Sequence, residues 1–313
     1  MGPMRDRIVV LGSLNTDFVV SVESLPRPGE TVRAGPLRTF AGGKGANQAA
    51  AAARLGAETM TFGRVGEDER GHRLREGLRD NGVDVGGVFV DAGEPTGSAL
   101  VLVDGRGQNM IAVSPGANRR VNQQDAARAV AAAGPMGVLL LQLEVPLDAV
   151  RAAVTLGAAA GCRIVLNAAP AAELEEALLS ALTVLVVNGG EASLLSGRSV
   201  NDEASARDAG ARLLGLGLPN VVITLGASGS LLCNRKEAGL FRAPTVPAVD
   251  TTAAGDAFVG ALAVGMAARA ELQEAVRLAT LAGAAAVTRE GAQDSLPDRE
   301  DLYRMFGDEV TRF

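Results

Sequence analysis

Gly137-Val-Leu-Leu-Leu-Gln-Leu143 opens the stretch that decides the fold. It is an apolar run of strand length, and Arg163–Asn167, Val184–Asn188 and Asn220–Leu225 repeat the pattern downstream. Alanine- and leucine-rich segments of helical length separate these runs: Leu147–Ala160, Leu174–Leu182 and Ser205–Leu214, with Asp125–Ala133 ahead of them. Strands alternating with helices make βα units around a parallel sheet, an α/β architecture. In such sheets ligands bind beyond the carboxyl ends of the strands. The residues at those ends are Glu144, Asn167, Asn188 with Glu191 three further on, and Thr224 with Gly226. Each alone reads best as a helix cap or turn residue; polar groups at most strand ends on one side of one sheet read better as a site.

Moving outward toward the C-terminus, Leu231–Cys233 and Gly239–Phe241 suggest a short hairpin, which leads to Asp250-Thr-Thr-Ala-Ala-Gly-Asp-Ala-Phe258. The run Ala257–Ala270 is apolar nearly all round, the mark of a helix buried within the protein. Ala253, Ala254 and Gly255 then fall at its first turn, where backbone N–H groups have no intrahelical partner. Free donors, the positive end of the helix dipole and small side chains together make an anion site. Asp256 beside it carries a carboxylate able to accept a proton. Phosphate plus base points to phosphoryl transfer onto a hydroxyl. A second buried helix is expected over Glu271–Val287, followed by Arg289-Glu-Gly-Ala-Gln-Asp-Ser-Leu-Pro297.

On the N-terminal side, Ile8–Leu11 is a short buried strand. Asn15 and Asp17 beyond it point to one side if the chain stays extended. They could grip neighbouring hydroxyls, but turn chemistry is the better reading of this pair alone. Asp17–Val22 and Thr31–Phe40 look extended around a Pro26–Gly29 turn. Ala41-Gly-Gly-Lys-Gly-Ala-Asn-Gln48 then runs into a helix expected over Ala49–Leu55. This run lacks the ending of a Walker A loop; a tight turn and a polar close-approach site with Lys44 and Asn47 stand at even odds. Thr59–Val65 reads as a strand and Arg70–Asn81 as an amphipathic helix. Thr96–Val103 and Asn109–Val113 flank the turn Asp104-Gly-Arg-Gly107. Ala99-Leu-Val-Leu-Val103 is apolar at odd and even positions, so both its faces seek cover. A lid lying on the body with one face and on a second subunit with the other would satisfy that, which predicts a homodimer.

With 313 residues, 47% apolar and 21% charged, the chain has ordinary globular composition and room for one large α/β domain with a small subdomain. A net charge of −6 gives no general reason to bind nucleic acid. No apolar span reaches membrane length, and Met1–Arg7 leads into a strand-like run with no signal-peptide core. Cys162 and Cys233 fit no metal spacing, so a reduced, cytoplasmic setting is expected. His72, the single histidine, sits in a charged run and reads as solvated. Any general base is therefore a carboxylate.

Together, Gly42-Gly-Lys-Gly-Ala-Asn-Gln-Ala49, Gln142-Leu-Glu144, Asn167-Ala-Ala-Pro-Ala171, Asn188-Gly-Gly-Glu191, Thr224-Leu-Gly-Ala-Ser-Gly229, Asp250–Asp256 and Gly291-Ala-Gln-Asp-Ser-Leu-Pro297 resemble the ribokinase-like carbohydrate kinases, over essentially the whole chain. The resemblance implies a three-layer fold with a central, mostly parallel sheet flanked by helices. It also implies a single domain over 1–313 with a small β-sheet lid from about 13–41 and 96–113. It implies transfer of the γ-phosphoryl group of ATP to a primary hydroxyl, O5 of D-ribose in the leading case. A kinase for another small sugar or a nucleoside, or a catalytically silent sugar-binding protein, is the alternative.

By the same resemblance Asp256 is the base, and the backbone of Ala253, Ala254 and Gly255 is the anion hole. Asn15, Asp17, Gly43, Lys44, Asn47 and Glu144 would hold the sugar. Asn188, Thr224, Gly226, Ala227, Ser228, Gly229 and Gly255 would meet the nucleotide, with Glu191 organising Mg²⁺ through water. A K⁺ site falls to the side chains of Asp250 and Ser295 with the carbonyls of Thr252, Ala286, Arg289 and Gly291. Two departures stand out. Gly189-Gly190 occupies a place where bulkier residues are common, and Thr280 stands where a larger polar residue often touches the nucleotide, so that contact is not carried over.

Overall fold

The structure is a computed structural model and describes residues 6–236 and 238–310; the reading of Met1–Arg7 lies, through Arg5, outside the described residues. In chain order the strands are β1 (Ile8–Leu11), β2 (Asn15–Ser21), β3 (Arg38–Gly42), β4 (Thr59–Gly66), β5 (Asp84–Asp91), β6 (Gly97–Val103), β7 (Asn109–Ser114), β8 (Val138–Gln142), β9 (Arg163–Asn167), β10 (Val184–Asn188), β11 (Asn220–Thr224), β12 (Ser230–Asn234) and β13 (Ala238–Phe241). The helices are α1 (Lys44–Arg54), α2 (Glu69–Asp80), α3 (Gln123–Ala133), α4 (Leu147–Ala159), α5 (Glu176–Ser180), α6 (Gly189–Ser196), α7 (Glu203–Leu214), α8 (Ala254–Ala267), α9 (Leu272–Ala286) and α10 (Arg299–Phe306).

The large sheet runs β13-β12-β11-β10-β9-β8-β1-β4-β5. From β11 through β5 every neighbouring pair is parallel, and β12 and β13 add an antiparallel edge. Side-chain alternation divides the core into two layers. Ile8, Val10, Leu140, Val165 and Val186 pack with α1, α8 and α9 on one face. Val9, Leu11, Leu139, Leu141, Ile164 and Val187 pack with α3, α4 and α7 on the other. This is the three-layer arrangement that the family resemblance implies, built on the parallel sheet expected from the βα alternation. A second sheet, β3-β2-β6-β7, stands beside the carboxyl end of β1, where Leu11 and Asn15 are joined by three residues.

Several segments differ from expectation. Thr31–Phe40 is not one extended strand; only Arg38–Gly42 pairs with β2, and Ala34 makes an isolated bridge to Val22. Helix α1 begins at Lys44, ahead of the expected Ala49, so most of the glycine-rich run is helical. Strand β5 was hidden because Gly86-Gly87 interrupts its apolar alternation, and its pairing with β4 slips between Met60 and Phe62. Helix α6 opens with two glycines, poor helix formers, and is started by a capping box between Asn188 and Glu191. Helix α10 lies in the charged C-terminal run that had no element assigned to it.

Candidate active site

Glu144, just past the end of β8, reaches across to the turn that enters α1. Its Oε2 accepts the Ser13 hydroxyl at 2.6 Å and the Lys44 N–H at 3.1 Å. Gly43 precedes Lys44 with φ of 89°, and the Ser13 and Asn15 backbone crosses so closely that any Cβ there would collide with it. This turn sets Lys44 among carboxylates. Asp256 foremost raises the Lys44 ammonium above its usual value, and Glu144, Glu191 and Asp17 add to the rise against the opposing effect of burial. Asp17, on β2, answers to the same cluster. Burial pushes its carboxyl up to about 7, Glu144 and Asp256 push in the same direction, and Lys44 opposes them. Asn15 is fixed by Asn118, whose side-chain amide donates to the Asn15 Oδ1 at 2.8 Å while its own oxygen accepts the Leu14 N–H at 2.9 Å.

Asp256 lies in the first turn of α8. It is buried, with Oδ2 accepting from Asn47 Nδ2 at 3.0 Å and Oδ1 from Gln48 Nε2 at 2.9 Å. Gly260, one turn along, makes this contact possible. A Cβ there would stand 2.6 Å from Ala51 Cβ and 2.9 Å from the Gln48 carbonyl, so its absence lets α8 lie directly on the backbone of α1. Before Asp256, Ala253 takes a left-handed conformation (φ 58°) as the N-cap of α8 and offers no side-chain cap. Gly255 is exposed. The Ala254 N–H, expected to be free, donates to the Thr251 carbonyl at 3.3 Å, so the N-terminus of α8 presents chiefly the exposed Gly255 backbone beside a carboxylate whose two oxygens are both held by neutral donors.

At the end of β10, Asn188 and Glu191 cap one another. The Asn188 N–H donates to Glu191 Oε2 at 2.8 Å and the Glu191 N–H to Asn188 Oδ1 at 2.8 Å. Burial raises the Glu191 carboxyl; the Asn188 N–H and Lys44 oppose that, and Asp256 adds to it. Glu191 thus shares the electrostatic field of the Lys44 cluster. The turn Gly226–Ser228 is open to solvent, and Thr224 at the end of β11 donates weakly to the Val187 carbonyl at 3.5 Å. Thr280 does not face a ligand: its hydroxyl is buried against Ser230 at 2.8 Å and donates to the Val276 carbonyl.

The segment before α8 is tied to the loop after α9. Asp250 Oδ2 accepts the Gly291 N–H at 3.0 Å, and Oδ1 accepts the Thr252 N–H at 2.9 Å and hydroxyl at 2.7 Å. Burial would raise the Asp250 carboxyl, but the Thr252 hydroxyl, the Gly291 and Thr252 N–H groups and Arg38 outweigh it and hold the carboxyl low. Ser295, fully buried, donates to the Ala292 carbonyl at 2.8 Å, and the Ala286 carbonyl accepts the Arg289 N–H at 3.3 Å. The Arg289 side chain turns away to pair with Asp301. Among the described residues no group of three or more His, Cys, Asp or Glu is placed to hold a metal ion by itself.

The structure thus draws Asp17, Lys44, Asn47, Glu144, Glu191 and Asp256 into one electrostatic and hydrogen-bonded cluster, and ties Asp250 to Thr252 and Gly291. Sequence reasoning did not single out Ser13, Gln48, Asn118 or Gln142 as site residues, nor Gln293, whose Nε2 donates to Asn47 Oδ1 at 3.3 Å. Gln48 offered a signal, because it is a polar residue heading the apolar run Ala49–Ala53 of α1.

Residues 5–299 match the pfkB family of carbohydrate kinases. A ribokinase of Haemophilus influenzae is 37% identical over 298 residues, covering 95% of this chain and 97% of the relative. The structure of Arabidopsis thaliana ribokinase complexed with ribose and ATP superimposes with a TM-score of 0.85 at 33% identity, covering 99% of each chain. A ribokinase of Cryptococcus neoformans in complex with ADP gives a TM-score of 0.83 at 31% identity, over 96% of this chain and 100% of that one.

Proposed function

The chain belongs to the pfkB family of carbohydrate kinases and is an ATP-dependent sugar kinase; from that premise we propose that it phosphorylates D-ribose at O5, giving D-ribose 5-phosphate and ADP. The observation that carries this reading is the placement of Asp256. Its carboxylate stands in the first turn of α8 beside the exposed Gly255 backbone, and both its oxygens accept hydrogen bonds from α1 amides. Asp256 takes the proton of the attacking hydroxyl as the phosphoryl group arrives. Backbone N–H groups at Ala253, Ala254 and Gly255 stabilise charge on that group. Phosphoryl transfer depends mainly on such positioning and charge stabilisation.

The sugar lies among Asn15, Asp17, Gly43, Lys44, Asn47 and Glu144, whose donors and acceptors suit vicinal hydroxyls. The nucleotide lies along Asn188 and the Thr224–Gly229 turn. A nucleoside acceptor is disfavoured because aromatic residues make up only 3% of the chain, too few for a base-stacking wall. Glu191 would hold Mg²⁺ through water, and the open, partly buried carboxylate fits an ion that keeps most of its waters. When bound, that ion neutralises charge on the phosphates. Asp250 fits a K⁺ site: its carboxylate is held ionised between two loops, close to Gly291. Thr252, Ala286, Arg289 and Gly291 would supply carbonyls there, and Ser295 its hydroxyl.

The second sheet acts as a lid on this single domain, and a second copy of the chain covers its outer face. Two free, buried cysteines agree with a reducing, cytoplasmic setting. Among the described residues no helix is long and apolar enough to cross a membrane.

The deciding experiment is ADP release with D-ribose, D-fructose, 2-deoxyribose and adenosine in parallel, each in K⁺ and in Na⁺. Ribose is expected to give the highest kcat/KM, with a lower rate in Na⁺. Preference for another acceptor would overturn the substrate, and equal rates in the two salts would remove the K⁺ site.

A further inference from the structure

Behind Asp256 the structure holds a chain of buried amides whose orientation is fixed from its far end. Asn167, at the end of β9, donates from Nδ2 to the Val186 carbonyl at 3.2 Å, which leaves its Oδ1 as an acceptor. That oxygen takes a hydrogen bond from Gln48 Nε2 at 3.0 Å. Gln142, at the end of β8, donates from Nε2 to Gln48 Oε1 at 2.7 Å. The Gln48 amide therefore has its oxygen claimed on one side and its nitrogen on the other. Turning it over would set its NH₂ against the Gln142 NH₂ and its oxygen against both Asn167 Oδ1 and the Asp256 carboxylate. Only one orientation is compatible with its neighbours.

We infer that Gln48 is a positioning residue for Asp256, and that Gln142 and Asn167 act through it by locking its amide with the donor toward the carboxylate. The inference rests on the reading of Asp256 as the base. Gln48 and Gln142 are fully buried, so neither lies open to bulk water. With Asn47 on the other oxygen, Gln48 leaves the carboxylate little freedom to rotate, and a base that must meet one hydroxyl gains from that restriction. One detail separates this chain of amides from ordinary core hydrogen bonding. Gln142 Oε1 has no hydrogen-bond partner and lies against Gly12, where an added Cβ would stand only 2.0 Å away. A buried amide oxygen left unpaired is unfavourable, because it loses its hydrogen bonds to water without replacement. A purely apolar residue at 142 would avoid that cost, so Gln142 is accounted for by what its other end does to Gln48.

The test is a double-mutant cycle in kcat, with Asp256→Asn assayed alongside. Gln48→Met keeps the volume and removes the donor; kcat is expected to fall about 10–100-fold while KM for the sugar stays within about twofold. Gln142→Met, at a residue that hydrogen-bonds to Gln48 and not to Asp256, should lower kcat about fivefold, again without moving KM. The double variant should be no slower than Gln48→Met alone, because Gln142 has nothing left to orient. Should Gln48→Met fail to fold, loss of kcat at constant KM in Gln142→Met supports the inference by itself. Wild-type kcat in either single variant, or losses that multiply in the double, would overturn it. If Asp256→Asn kept turnover, the base assignment itself would fall; an inactive Asp256→Asn beside a fully active Gln48→Met would defeat only the positioning role.

Discussion

The Asp17 carboxyl, raised to about 7 by burial first and by Glu144 and Asp256 next, gives the ligand-free protein a pH signature. Its folded value stands above the ordinary 3.8, so the folded state keeps a proton that the unfolded chain releases. The stability this confers is fully present below the unfolded value and is lost as pH rises through about 7. Asn at this position is neutral at every pH. Asp17→Asn is therefore expected to melt with the parent near pH 4 and about 2–4 °C above it at pH 8, by circular dichroism. A difference independent of pH would show that Asp17 is not held protonated. At this scale the sequence reading of Asn15 and Asp17 as turn residues, taken alone, gives way to a strand. Both lie on β2, and besides burial the charges that raise Asp17 come from residues 127 and 239 positions away. No local pattern contains that information.

Among the elements, the contact of α8 with α1 controls the site. Gly260 permits it, and the signal was weak in sequence because a glycine in an apolar helix also reads as mere small-residue packing. Gly260→Ala gains about 1 kcal/mol of helix propensity. It also drives a Cβ to within 3.0 Å of the Gln48 carbonyl and of Ala51. Overpacking of this kind costs about 1–3 kcal/mol. The variant is expected to lose both stability and kcat, since Asp256 backs away from Asn47 and Gln48; unchanged kcat would show that the helix separation does not set the base. Helix α6 illustrates the opposite relation. Taken singly, Asn188 and Glu191 read best as helix-cap or turn residues, and the structure shows them as a capping box that starts the helix. The cap coincides there with the proposed nucleotide position, because a helix beginning at the carboxyl end of a parallel strand turns its N-terminus to the side where such sheets bind ligands.

For the whole molecule, the second sheet supplies the remaining prediction. Side chains alternate between its faces, so in-register partners share a face. Ile111 and Val113 pair with Val101 and Ala99 on β6, and Ala99 pairs with Asp17, which places them on the same face as Asp17. Leu100 and Met110 occupy the opposite face. All four of these large side chains are about half exposed, at 56% for Ile111 and Leu100 and 51% for Val113 and Met110. Bound sugar and the body of the domain can cover the first pair only. A second copy covering Leu100 and Met110 predicts a dimer at micromolar concentration in sedimentation velocity, converted to monomer by Leu100→Lys with Met110→Lys; a monomeric parent would exclude it. By itself the sequence determined the βα order, the parallel sheet, the strand-end positions of the polar residues and the first turn of α8, because each depends on local periodicity and local chemistry. Only the tertiary structure decided which strand ends face one another, that α1 begins at Lys44, and that Asp256 is held by Asn47 and Gln48. Those depend on packing between segments some 200 residues apart, where a glycine's missing side chain and an amide's orientation matter more than any pattern along the chain.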